Sequence, residues 1–352
     1  MSHDELKTGN VAAAGDEFRE GRRRQRHLLS TAEVQSLCEL NNISAAQGVF
    51  QTLAVTIVTI ALAVVFWHPL VVFPAVLVIA SRQHALFVLV HDAAHYRLFK
   101  SRSLNDWVGQ ILAMPGGISM HTYRVIHRLH HNYLFEQRDP DVPLIAGYPR
   151  GRRYLLVKLS KDLFGLTAWK TFKYFFGAPV INDAASSTDR PLDDTAPALR
   201  EAARRDRWWV IAWHSGMLVL AFIGGWWLEY LVLWLLPLVT VMQLFLRLRA
   251  VLEHGAVTDR TSALTAARTN VGPGWLMWFV FPHHVNFHIE HHLIPSIPFY
   301  NLPRCHNLLA NCGALSSAEV RRVPETLALL LANRSIASQR LPRVGKVTND
   351  PI

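Results

Sequence analysis

Cysteine is scarce. The 352 residues hold three, Cys38, Cys305 and Cys312, none of them in a CxxC pair. Such spacing excludes a cysteine zinc site and a cysteine-held iron–sulfur cluster, and offers no disulfide framework. Acid is also in deficit, with 26 Asp and Glu against 36 Lys and Arg and a formal net charge of +10. An apolar leader core is missing from the first 48 residues, which are polar and basic, so no cleavable signal peptide is expected.

Apolar residues, by contrast, make up 51% of the chain and are gathered into runs. Val49 to Trp67 carries no charge and is long enough to cross a hydrocarbon core, since about 20 residues at 1.5 Å rise span roughly 30 Å. His68-Pro69 makes a turn and Leu70 to Val90 returns, interrupted by Ser81-Arg82-Gln83-His84. Such a polar patch is costly in lipid unless it faces protein. A second hairpin is expected from Trp209 to Leu228 and Tyr230 to Leu246, with Glu229 between them. The fold class that follows is all-α integral membrane, with four transmembrane helices in two hairpins at about 49–67, 70–90, 209–228 and 230–246.

Lys and Arg set the orientation. They crowd EFREGRRRQRH before the first run and the long segment between the hairpins, while both hairpin turns lack them. The positive-inside rule then puts both termini and the central segment on the cytoplasmic side, in a bacterial inner membrane or the endoplasmic reticulum. The basic balance reads as this bias plus attraction to anionic lipid, not as a nucleic-acid footprint.

Between and around the runs, residues 1–30 lack apolar periodicity and are expected to form a disordered basic tail ahead of one domain over 31–335. Ser30-Thr31-Ala32-Glu33 has the form of a capping box opening a short helix through Leu40. Trp107 to Ser119 is too short to span, so an interfacial or re-entrant segment ending at Pro115-Gly116-Gly117 is expected. Phe164 to Phe176 reads as an interfacial amphipathic helix, Asn182 to Ala198 as a flexible loop, and Ala314 onward as a helix with a loose tail over 336–352.

Histidine carries the chemistry. His288, His291 and His292 form an HxxHH cluster, and residues three and four apart share one helix face, so the three imidazoles can aim at one point. The pattern recurs at His127, His130 and His131, and an i, i+4 pair stands at His91 and His95. His254 follows the fourth run by about two turns. Hydropathy and Lys/Arg bias place the spans without reference to histidine, yet all nine fall on the cytoplasmic side. His84, seven residues before His91, reads as a packed polar residue. Three protein ligands and an open position suffice for a catalytic zinc, so nine histidines imply two metals. Imidazole suits zinc and iron alike. Spacing leaves open a zinc hydrolase of lipid esters or amides and an iron oxidase.

HDAAH (91–95), HRLHH (127–131) followed by DPD (139–141), and NFHIEHHLIPSIPFYNLP (286–303) resemble the three histidine boxes of the membrane fatty acid desaturase family, in its acyl-lipid form. Order, intervals and topology match across most of residues 45–310. The resemblance implies a helical cytoplasmic catalytic cap over an acyl tunnel and a di-iron centre. Its metal ligands would be His91, His95, His127, His130, His131, His254, His288, His291 and His292. Asp92 and Glu290, between ligands, would accept the second ring N–H of a ligating imidazole. Ala250, one turn before His254, departs from some acyl-CoA desaturases, which carry a water-holding Asn there. With O2 as co-substrate, the resemblance implies a lipid desaturase, with a lipid or carotenoid hydroxylase as the alternative within the same superfamily. The only PGG, at 115–117, lacks the preceding histidine of a cytochrome b5 motif. Electrons are therefore expected from a separate ferredoxin or cytochrome b5-type donor, with a lipid in the membrane as substrate.

Overall fold

The computed structural model describes residues 26–136, 139–177, 197–257, 259–260 and 262–332. The expected basic tail up to residue 25, most of the 182–198 loop and the 336–352 tail lie outside these residues. The chain forms two compact units interleaved along the sequence. One comprises Leu40–Arg128 and Leu159–Arg247; the other comprises Met1–Glu39, Leu129–Lys158 and Leu248–Ile352.

In the first unit, helices Asn42–Val65 and Pro69–Ala94 form a hairpin. Asn41 caps the former by accepting from the N–H groups of Ile43 and Ser44. His68 accepts the Leu70 N–H while Pro69 fills the first helical position, where no N–H is needed. Asn42–Val65 presents Phe50, Ile57, Val58 and Val65 outward, an apolar face that suits lipid. Pro69–Ala94 is buried without a break from Ile79 to Ala94, so the 81–84 patch faces protein as its cost in lipid demands. There, Gln83 donates to the Trp234 carbonyl at 2.9 Å and the His84 ring stacks on Phe245.

Among the described residues, three helices are long and apolar enough to cross a membrane: Asn42–Val65, Pro69–Ala94 and Trp227–His254. The remaining run lies in helix Pro197–Gly224, whose first turns hold Arg200, Glu201, Arg204, Arg205, Asp206 and Arg207 and leave only Trp208 onward uncharged. The turn after it falls at Gly225, with φ 72°, and Trp226, while Glu229 sits in the first turn of the next helix. That next helix is not uniform, since Leu231–Leu235 is a π-helical turn and Thr240 departs from helical geometry. The segment after Ser101 is a helix, Arg102–Ala113, closed by a 3-10 turn through Met114–Gly116 and left-handed Gly117. Of the expected 164–176 helix, Ala168–Gly177 is formed.

The second unit is built around short elements. The Ser30 capping box is present and opens helix Thr31–Leu37. Asn301 donates to the Leu37 carbonyl and Arg304 to Ser36, tying this helix to Leu302–Asn311. Leu37, Leu134, Ile145, Leu293, Ile297 and Leu309 bury a common core. The unit also holds a feature that an all-α expectation omits: strands Thr269–Val271 and Val320–Arg322 pair in parallel, Thr269 opposite Val320. Strands of three residues carry too little periodicity to read from sequence. Of the helix expected from Ala314, a 3-10 turn forms at Ala314–Ser317, and the α-helix starts at Val323 after the second strand.

Candidate metal centre

Histidines reach the second unit's site from three helix ends. His130 and His131 lie in the last turn of Met120–Tyr133, His254 ends Trp227–His254, and His288, His291 and His292 occupy helix His288–Leu293. All six are buried. His130, His254, His288 and His292 each bring a ring nitrogen within 4.8 Å of the other three. The Nε2 of His254 is 3.3 Å from that of His130 and 2.8 Å from that of His288, which is 3.1 Å from the Nε2 of His292. His131 and His291 meet Nε2 to Nε2 at 2.9 Å.

The outer ring nitrogens explain why Nε2 is the inward atom. His130 Nδ1–H donates to Asp139 at 3.0 Å, and His254 Nδ1–H donates to the Ala266 carbonyl at 3.2 Å. Fixing the proton on Nδ1 leaves the Nε2 lone pair for a metal. Asp139 is itself held by the N–H groups of Phe135 and Asp141. Burial opposes protonation of His130, but the adjacent carboxylates of Asp139 and Asp141 outweigh it and raise its pKa to about 9, so a metal bound there would have to displace a proton from Nε2. Burial and the neighbouring histidines hold His288 well below its ordinary value, in the neutral form a metal requires. Glu253 contributes a carboxylate oxygen 3.5 Å from His288 Nε2 and is gripped by Arg249 at 2.8 Å.

In the first unit, His91 and His127 are buried, and with His95 they bring ring nitrogens within 4.8 Å of one another. Their ring centroids are 4.4 to 5.0 Å apart. Tyr123 stacks flat on His127 one turn earlier, at 5.5 Å and 4°. His95 is pushed down to about 3, first by burial and then by the positive charges of Arg128, Arg97 and Arg124. It too is a neutral donor.

The donor set fits a first-row metal. With metal–nitrogen bonds near 2.1 Å, ligand nitrogens of one ion stand roughly 3 to 3.4 Å apart, close to the spacings found here.

The carboxylates divide differently from the sequence reading. Asp92 Oδ1 lies 3.2 Å from His91 Nδ1, the contact expected of it. Glu290 instead accepts from Thr269 Oγ1 and from His306 Nδ1–H, both at 2.6 Å. Asp139 and Glu253 touch the histidines, the first from the DPD that follows the second histidine box and the second from a position with no role in the sequence reading. Adjacency of Glu253 to His254 was the one available signal. His121 stands apart from the clusters, donating to Asp206 at 2.5 Å, and Ala250 packs against the apolar core. His283 and His284 have positive φ and sit in the turn before Phe287.

A model of the family described as fatty acid desaturase matches residues 51–322, most of the chain. The dihydrorhizobitoxine desaturase of Bradyrhizobium elkanii is 26% identical over 262 residues, 71% of this chain and 70% of that one. The sn-1 oleoyl-lipid 12-desaturase of Arthrospira platensis is 25% identical over 236 residues, covering 61% and 62%. The sn-1 acyl-lipid omega-3 desaturase (ferredoxin) of a Nostoc species is 24% identical over 250 residues, covering 62% and 61%. The aligned stretch thus spans under two thirds of these last two proteins. With the histidine clusters and the membrane-length helices, the match over residues 51–322 establishes that the chain belongs to the fatty acid desaturase family.

Proposed function

We propose that the protein is an oxygen-dependent membrane lipid desaturase that introduces a C=C bond into a fatty acyl chain. It uses two irons and electrons from a separate ferredoxin or cytochrome b5-type donor. The observation that carries this reading is the convergence of the Nε2 atoms of His130, His254, His288 and His292 in a chain of this family. The eight histidines of the three boxes, together with His254, are the proposed ligands. Iron bound by them supplies the redox and O2 chemistry that zinc lacks.

The protein's own groups have definite tasks in this reading. Asp139 and the Ala266 carbonyl hold the Nδ1 protons of His130 and His254, and Asp92 does the same for His91. Burial keeps water from competing for the imidazoles. The names of the Arthrospira and Nostoc relatives support an acyl lipid as substrate, and the latter's name supports a ferredoxin as donor. We further place the uncharged part of Pro197–Gly224 as a fourth membrane helix, with Trp208 and Trp209 at the interface and both termini cytoplasmic.

Whole-lipid mass spectrometry of a desaturase-poor host expressing the chain tests the reading, beside a His291→Ala control. Loss of two hydrogens from an acyl chain, abolished by His291→Ala, is the expected result. Gain of one oxygen would make the protein a hydroxylase. Stoichiometric zinc with turnover lacking oxygen and reductant would make it a hydrolase.

A further inference from the structure

We propose that His306, together with Thr269, is a positioning residue of the metal centre: the two grip Glu290 from behind and fix the rotation of the helix that carries His288, His291 and His292. The inference rests on reading that helix as metal-bearing.

Helix His288–Leu293 has six residues and no side-chain cap at its start. So short a helix does not hold its own geometry, and its orientation must come from outside. At 3.6 residues per turn its three histidines share one face, while Glu290 points roughly opposite. The Glu290 side chain is fully buried, and a buried carboxylate is tolerated where donors meet it. Both its oxygens are met. Thr269 Oγ1–H donates to Oε2 at 2.6 Å, and His306 Nδ1–H donates to Oε1 at 2.6 Å.

These donors are anchored independently. Thr269 sits in the strand opposite Val320 and donates its own N–H to the Glu319 carbonyl. Its hydroxyl also accepts the Ile289 N–H, so it holds the ligand helix by backbone and side chain at once. His306 comes from helix Leu302–Asn311, with its ring 5.0 Å from that of Phe287, the residue preceding the ligand helix. Turning the helix breaks both carboxylate bonds, and any turn would displace all three imidazoles together. Metal sites tolerate misplacement of only about 0.5 Å.

The test uses the purified full-length protein loaded with iron(II), comparing wild type with His306→Phe, His306→Asn and Thr269→Val. Phe keeps the ring and its contact with Phe287 but has no N–H. Asn offers an amide N–H near the place of Nδ1, and Val is isosteric with Thr. Iron release to a ferrous chelator and the Mössbauer spectrum are read beside a thermal melt. Release about ten- to a hundred-fold faster in His306→Phe and Thr269→Val, with an altered spectrum and rescue by His306→Asn, is expected. Wild-type release and spectrum in the Phe and Val variants overturn the proposal. So does failure of Asn to rescue while melting falls equally in all three. Should His306→Phe not fold, Thr269→Val decides. If wild type holds zinc and no iron, the di-iron reading falls, and zinc release from the same variants decides this one.

Discussion

Nη1 of Arg268 donates to the carbonyl oxygen of Gly255, the residue after His254, at 2.9 Å. The same buried guanidinium donates to the carbonyls of Leu252 and Ala256, and Asn270 adds a second bond to Leu252. These are carbonyls that a helix end leaves without partners. The first unit repeats the device. Arg124 donates to the carbonyls of Ala93 and Ala94, Asn105 adds a bond to Ala93, and the helix end so closed delivers His91 and His95. In each unit a buried Arg–Asn pair finishes a helix that carries histidines of a candidate metal cluster.

Removing either arginine should therefore cost stability and metal together. Arg268→Met removes the donor to the Gly255 and Ala256 carbonyls, at about 1–3 kcal/mol each, and one of the two arginines that meet the buried Glu319. A loss of about 3 kcal/mol or more, seen as a lowered melting temperature with reduced iron content, is expected. Arg268→Lys should not rescue it, because one ammonium does not reproduce the planar fork. A melt equal to wild type would contradict the capping role.

Asp139→Asn tests the partner of His130. The amide keeps the size of the carboxylate but presents no charge to hold the Nδ1 proton, so the ring is free to take the wrong tautomer. Iron affinity or turnover is expected to fall about ten- to a hundred-fold with little change in melting temperature. Chelator competition measures the first and lipid mass spectrometry the second.

The histidine pattern made the centre legible from sequence because i, i+3 and i+4 spacing is local, and a helix converts it directly into a shared face. The membrane-length helices Asn42–Val65 and Pro69–Ala94 were legible for the same reason, as long apolar runs, although their ends were set by caps at Asn41 and His68. Arg268, Asn270 and Thr269 were not. They act through partners 13 to 21 residues away that become neighbours only after folding. Glu290 shows the limit most clearly. Its place between ligands pointed to a histidine partner in the clusters, but helix rotation turns it to the opposite face, where His306 waits.

Single-histidine variants should separate ligands from structural histidines. His292→Ala removes a member of the four-imidazole cluster, and at least one iron per chain and all turnover are expected to be lost. His121→Ala instead leaves Asp206 with Ser119 alone among these partners, costing stability while iron per chain stays at the wild-type value. Iron analysis of the two purified variants, side by side, is the measurement. Equal iron loss in both would mean that metal content merely follows fold integrity.

Gly109 offers a test from outside the histidines. A Cβ at Gly109 would stand 2.7 Å from the Cβ of Ala93 and 3.1 Å from Met120 Cγ. Ala93 lies between His91 and His95 at the end of a helix, and its Cβ has no rotamer with which to yield. Gly109→Ala must therefore push helix Arg102–Ala113 and the His91–His95 turn apart, at about 1–3 kcal/mol for overpacking. The displaced histidines should hold iron more weakly, so iron per chain falls along with the melting temperature. Gly216→Ala is the matched control. It lies within helix Pro197–Gly224 with nothing among the described residues within 4 Å of its added methyl, and there Ala should be neutral or stabilising by about 0.5–1 kcal/mol. Iron loss in Gly109→Ala but not in Gly216→Ala would place the effect at the close contact with Ala93, whereas loss in both would trace it to substitution of helical glycines generally.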